Sequence, residues 1–151
     1  MRVREYRPDD LAELLDLWQA GWQVTLPAID FAARRPGFAI YLGDLLAAGV
    51  RLRMAADDHD VPLGFFTLDG QGYLDQIAVR MDQWGRGVAG RLIDDAKALA
   101  RTQAPGRIHL KVNQANLRAI AFYEREGFVR GAAEVSALSG LPLWNYHWAK
   151  A

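Results

Sequence analysis

Gly85, Gly87 and Gly90 punctuate the run Trp84-Gly-Arg-Gly-Val-Ala-Gly90, directly ahead of a stretch with helical periodicity. The chemistry such a turn offers is anion binding. Glycine leaves the backbone bare, and the free N–H groups of a first helical turn, with the positive end of the helix dipole, receive a phosphate whatever molecule carries it. The spacing also fits G-x-G-x-x-G, the dinucleotide fingerprint, so the surroundings must decide the ligand. Arg86, inside the turn, either adds charge to the site or points into water. Other chemistries have less to build on. The chain has no cysteine, which removes disulfides, thiolate metal sites and cysteine nucleophiles together. His59, His109 and His147 stand alone, without ligand spacing, so no metal is expected. Neither G-x-S-x-G nor G-x-x-x-x-G-K-[ST] occurs.

The elements that must position the turn are legible on either side of it. Val3 and Tyr6 mark a short edge strand, and Pro8-Asp9-Asp10 starts a helix carrying Leu11, Leu14, Leu15 and Trp18 at helical spacing. Between Gly21 and Gly49 the pattern is irregular; Pro27, Pro36 and Gly43 break it, leaving 31–35 and 41–48 as short helices. Strands at 51–56, 61–68 and 73–79, joined at Asp57-Asp-His-Asp60 and Asp69-Gly-Gln-Gly72, read as a β-meander. After the glycines, Val88, Ala89, Leu92, Ile93, Ala96, Leu99 and Ala100 mark one helix face, which Pro105-Gly106 closes. A strand at 107–112, a second amphipathic helix ending at Gly127, and strands at 128–136 and 143–149 complete the chain. In the last of these Trp144, Tyr146 and Trp148 share one side, a pattern expected of core packing. The order predicts an α+β domain with a mixed sheet.

The 151 residues are expected to form one domain, 1–151, with ordinary globular composition: 51% hydrophobic and 24% charged. Eighteen basic residues balance eighteen acidic ones, so no global field gathers nucleic acid. The N-terminal MRVREYRPDD has no apolar run, so neither signal peptide nor anchor is expected, and the expectation is a cytoplasmic protein with no membrane partner.

The dinucleotide reading fails on its context. Its strand should run straight into the first glycine near the start of a βαβ array, with an acidic residue about 20 positions on. Here several residues separate Val79 from Gly85, three strands precede the turn, and 107–112 holds no Asp or Glu. The run IAVRMDQWGRGVAGRLI, Ile77 to Ile93, instead resembles the acetyl-CoA-binding segment of the GNAT N-acetyltransferase superfamily, with its Q/R-x-x-G-x-G/A loop. Gly87 and Ala89 match the last two positions, and Trp84 stands where Gln or Arg is usual. Asn116-Leu-Arg-Ala-Ile-Ala-Phe-Tyr-Glu-Arg-Glu-Gly-Phe128 is similar to the family's N-x-x-A-x-x-F/L-Y-E-x-x-G-F segment. The resemblance implies the GNAT-like acyl-CoA N-acyltransferase fold, a central, mostly antiparallel sheet with helices on both faces.

It further implies acetyl-CoA as cosubstrate, held by Ile77, Ala78 and Val79 of the strand, by Trp84, Gly85, Arg86, Gly87, Val88, Ala89 and Gly90, and by Asn116, Phe122 and Tyr123. Asn116 also suits a helix N-cap. Tyr123 is implied to reach the thioester sulfur. An amine would attack the thioester directly, since no cysteine can carry the acetyl group. A lysine amine with pKa about 10.4 is neutral in only roughly one molecule in 2,500 at pH 7, so a base is needed. Asp75, which period two places with Ile77 and Val79, is the first candidate; Glu124 and Glu126 are weaker ones. The implied splay of the strand at 77–79 would free N–H groups for the developing oxyanion. The acceptor is expected to be a small-molecule amine, with a protein or peptide amine as the alternative, in a pocket drawing on Trp22, Phe31, Arg34, Arg35 and Tyr41. A non-catalytic acyl-CoA-binding module is the rival of another class; it has no need of Tyr123. Exposed strand edges and the C-terminal aromatics allow a homodimer.

Overall fold

The structure, a computed structural model, describes residues 1–103 and 106–150. Strand β1 (Arg2–Glu5) is the edge of a four-stranded antiparallel sheet in the order β1-β2-β3-β4, with β2 at Arg51–Ala56, β3 at Pro62–Leu68 and β4 at Leu74–Val79. A second antiparallel sheet, in the order β5-β7-β6, is made of β5 (Arg107–Asn113), β6 (Val129–Val135) and β7 (Pro142–Ala149). The predicted α+β class and the largely antiparallel sheet hold. Among the described residues the mixed character is confined to one parallel bridge, Tyr73 with His109, where the two sheets meet.

Every position of β3 is buried because the strand lies between two layers. Phe65 points into a cluster with α1 (Leu11–Thr25) and α2 (Phe31–Ala47), and Phe66 into the opposite cluster with α3 (Val88–Arg101). Period two thus divides one strand between two cores. The second core continues through Ile108, Leu110 and Val112 of β5 to Tyr146 of β7 and to Ile120 and Tyr123 of α4 (Leu117–Arg125). Tyr146 is fully buried in that cluster and the partly buried Trp144 and Trp148 pack against it, as expected of core packing.

The region between Gly21 and Gly49 departs from expectation. In place of two short helices, α2 runs unbroken through Pro36. Asp30 caps it, its carboxylate accepting from the Ala33 N–H at 3.1 Å. Phe31 and Phe38, on either side of the proline, both pack on Trp18, with ring centroids 5.6 and 4.0 Å away. A proline inside a helix costs about 3 kcal/mol, and burying two phenyl groups contributes roughly 1.5–3 kcal/mol each, so tertiary packing overrides the local signal. Pro105, expected to close α3, lies outside the described residues; the helix ends at Arg101.

The seam between the sheets is pinned at Gly72. Its φ is +84°, its carbonyl accepts the His109 N–H at 2.9 Å, and a Cβ there would lie 2.0 Å from the Arg107 carbonyl oxygen. Only glycine lets β4 and β5 approach so closely. Gly72→Ala is therefore expected to destabilise the protein by about 2–4 kcal/mol, read as a lower midpoint in urea unfolding; an unchanged midpoint would show that the seam yields at no cost.

Candidate active site

Beyond the Tyr73–His109 bridge, β4 and β5 belong to different sheets, and the space between them is a cleft of about 990 Å³. The splay expected from the resemblance is present. The Arg80 N–H donates to the Leu63 carbonyl at 2.8 Å, so the alternation of antiparallel pairing turns Ala78 toward β3 and the N–H groups of Ile77 and Val79 toward the cleft. Among the described residues no strand lies beside these amides.

The alternation breaks at Asp75. Gln76 pairs with Thr67 while Leu74 pairs with Leu68, which leaves Asp75 as the extra residue of a β-bulge. The Gln76 N–H is taken by the Thr67 hydroxyl at 3.0 Å, which satisfies that buried Thr. The expected period-two path from Val79 through Ile77 to Asp75 therefore does not carry across the bulge. Asp75 nonetheless lines the cleft, where the Tyr41 hydroxyl of α2 donates to it. Burial, followed by that hydrogen bond and the Asp75 charge, holds the Tyr41 phenol well above its ordinary pKa. Burial and the same carboxylate push Tyr73, two residues before it, up to about 12. Both phenols are thereby kept protonated where a free phenol would begin to ionise.

After Val79 the chain makes a one-turn 3-10 segment at Met81–Gln83 and enters the glycine turn. Gly85 and Gly87 have φ of +76° and +87°, and Gly87 is the N-cap of α3. No side chain caps this end and no acidic residue stands in the first turn, so its leading N–H groups face the cleft bare. Gly85, Gly87, Val88, Ala89 and Gly90 all line the cleft; Arg86 is exposed and does not. The donor set and the bare backbone fit a diphosphate.

Trp84 is better placed than its departure from the family pattern suggests. Its indole Nε1–H donates to the Val79 carbonyl at 2.8 Å, and the guanidinium of Arg118, in the first turn of α4, lies 3.5 Å above its ring. Sequence reasoning missed Arg118, which lines the cleft; an arginine two residues past an N-cap Asn carries no signal unless the partner ring is known to face it.

Asn116 is the N-cap of α4, its Oδ1 accepting from the Ala119 N–H at 3.2 Å, and it also lines the cleft. Phe122 and Tyr123 line it about two turns on. Tyr123 is 7% exposed, its ring among those of Phe122, Phe128 and Tyr146, and burial holds its phenol well above the ordinary value.

The remaining candidates separate. Trp22 lines the cleft and Phe31 is buried in the α1–α2 core. Arg34 is exposed, and Arg35 pairs with Asp16 at 2.7 Å, away from the cleft. Glu124 accepts from the Tyr146 hydroxyl at 2.8 Å. Glu126, the other weaker base candidate, lines the cleft beside Gly90. Among the described residues no group of three or more His, Asp or Glu is set to hold a metal, and no helix is long and apolar enough to cross a membrane.

Comparison with known proteins agrees with this geometry. A model of the Acetyltransferase (GNAT) family matches residues 4–128. Peptidyl-lysine N-acetyltransferase YjaB of Salmonella typhimurium is 30% identical over 147 residues, 96% of either chain. The solution structure of apo-form YjaB from Escherichia coli superposes with a TM-score of 0.76 at 26% identity, covering 99% of this chain and 98% of that one. A streptothricin acetyltransferase, so described as putative, from Bacillus anthracis, solved in complex with acetyl coenzyme A, shows 25% identity and a TM-score of 0.61 over 67% of this chain and 62% of its own. With its splayed strands, bare helix terminus and cleft-facing tyrosine, the chain belongs to the GNAT family and is an acetyltransferase that uses acetyl-CoA.

Proposed function

We propose that the acceptor is the side-chain amine of a lysine in a protein or peptide. The observation that carries this reading is the full-length relation to an enzyme named for peptidyl-lysine, which favours the protein alternative over the small-molecule amine expected from sequence. The geometry is consistent with it. The acceptor end of the cleft lies between the Tyr41–Asp75 pair and the β6–β7 hairpin, whose Leu138 is 98% exposed, a surface suited to a chain segment laid across the opening.

Acetyl-CoA supplies the thioester whose acetyl group the amine takes. Its phosphates are assigned to the amides of Val88, Ala89 and Gly90 behind the Gly85–Gly87 turn, and its pantetheine arm to the cleft between β4 and Asn116. The N–H groups of Ile77 and Val79 are the donors for negative charge developing on the carbonyl oxygen. Asp75, held by the Tyr41 hydroxyl, attracts the lysine ammonium and takes its proton directly or through water. Tyr123 donates a hydrogen bond to the departing sulfur. As a neutral phenol it needs no charge in a buried position.

The direct test is incubation of the enzyme and acetyl-CoA with a lysine-containing peptide and, separately, with a panel of small primary amines, scoring acetylation by mass. Acetylated lysine in the peptide with little transfer to the amines is the expected result; transfer to the amines alone would return the assignment to a small molecule.

Asp75→Asn is expected to lower kcat/KM for the peptide by about 100-fold, the lower end for loss of a general base, while acetyl-CoA affinity measured by calorimetry stays unchanged. An equal loss of acetyl-CoA affinity would place Asp75 in the cofactor site instead. Tyr123→Phe should reduce kcat about tenfold or more, as when one donor to developing charge is removed, again without weakening acetyl-CoA binding.

The raised Tyr123 pKa has a consequence for pH. Its folded value lies above the ordinary one of about 10, so it remains a protonated donor where a free phenol would ionise. The rate should therefore climb with pH as the lysine amine, pKa about 10.4, is released, with no descending limb near 10. A pH–rate profile that turns down there would remove Tyr123 as the donor.

A further inference from the structure

The contact between Trp84 and Arg118 crosses the cleft. Trp84 follows the C-terminal end of β4 and Arg118 follows that of β5, and these are the ends at which the two strands have diverged. Both residues line the opening, and the guanidinium lies 3.5 Å from the indole ring centroid. The indole is itself fixed. Its Nε1–H is bonded to the Val79 carbonyl, and its Cζ2 would sit 3.6 Å from a Cβ placed on Gly21 of α1. A planar cation is thus held on a fixed platform next in sequence to Gly85, where the bare amides of α3 begin.

Among the described residues the guanidinium is paired with no acid, and desolvation by burial lowers its pKa. The more buried arginines, by contrast, are paired: Arg53 lies 2.9 Å from Asp95, and Arg4 lies 2.8 Å from Asp10. A partly desolvated arginine resting on an aromatic face, with its edge donors free, is a ready partner for an anion, since cation–π contact uses the face of the guanidinium and leaves the in-plane N–H groups available.

We propose that Arg118 is a phosphate ligand of acetyl-CoA, positioned by Trp84, with its in-plane N–H groups turned to a phosphate oxygen beside the amides of Gly87 to Gly90. Trp84, in the position where the family pattern has Gln or Arg, supplies no charge of its own and instead presents the charge of a residue 34 positions later in the chain. This rests on the placement of the acetyl-CoA phosphates at the first turn of α3.

The test compares wild type with Arg118→Ala and Arg118→Lys by calorimetric titration with acetyl-CoA, and by turnover of acetyl-CoA against S-acetylpantetheine, a thioester without phosphates. Arg118 is exposed on the first turn of α4, so its truncation leaves the core intact. Arg118→Ala should weaken acetyl-CoA binding about tenfold, as loss of a charge-assisted hydrogen bond does, and leave kcat/KM for S-acetylpantetheine unchanged. Arg118→Lys should recover part of the loss. Wild-type affinity in Arg118→Ala, or equal losses with both thioesters, would overturn the proposal. Failure of the wild type itself to bind acetyl-CoA would instead sink the phosphate placement on which it rests.

Discussion

The site depends on one constraint, the divergence of β4 from β5 after a single point of contact. An unpaired strand edge in a protein interior leaves backbone donors without partners, and a buried amide in that state costs about 1–3 kcal/mol. Here the edge faces a cleft open to water, and each strand is paired on its other side, β4 with β3 and β5 with β7. The donors of Ile77 and Val79 are kept for a ligand at small cost to the fold. Had the strands continued side by side from Tyr73 and His109, parallel pairing would have consumed those amides and closed the cleft.

Keeping the strands apart requires packing on both flanks. On one side α1 and α2 cover the first sheet through Trp18, Phe31 and Phe38; on the other α3 and α4 wedge beneath the two sheets, and Leu92, Ile93 and Ile108 are fully buried where they meet. The helices that hold the strands apart also bring their N-termini to the cleft, so the dipole end of α3 and the Asn116 cap of α4 arrive where the strands have separated. The bulge at Asp75 belongs to the same design. One extra residue in β4 brings a carboxylate into the cleft without disturbing the pairing beyond it, and Thr67 absorbs the amide that the bulge displaces.

Much of this was legible in the sequence because local rules and tertiary demand agree there. The meander, the glycine turn and both amphipathic helices of the second half have turn residues, caps and periodicity that point to one answer. The splay itself left no trace in residue type, since Ile77, Ala78 and Val79 read as any strand; only the resemblance implied it. The α2 helix was unreadable because Pro36 breaks the local pattern while Trp18, distant in sequence, restores the helix by stacking on Phe38. The Tyr41–Asp75 and Trp84–Arg118 contacts span 34 positions each, and no spacing rule reaches that far. Arg34 and Arg35 were expected in the acceptor pocket, yet the helix turns Arg35 onto Asp16.

The burial of Tyr123 bears on the kind of catalysis the site supports. A phenol of ordinary pKa about 10 is already a weaker acid than a thiol near 8.5, and packing among Phe122, Phe128 and Tyr146 raises it further. Complete proton transfer to the departing thiolate therefore runs uphill at every stage. What burial adds is a fixed dipole in surroundings of low dielectric, where one hydrogen bond to developing charge is worth more than in water and needs no reorganisation to form. In the proposed reaction the hydroxyl thus lowers the barrier by stabilising charge on sulfur, and the thiolate takes its proton afterwards from solvent in the open cleft. The same packing that makes Tyr123 a poor acid makes it a well-placed donor, so a more acidic side chain at this position would bring a charge into the core without improving the step.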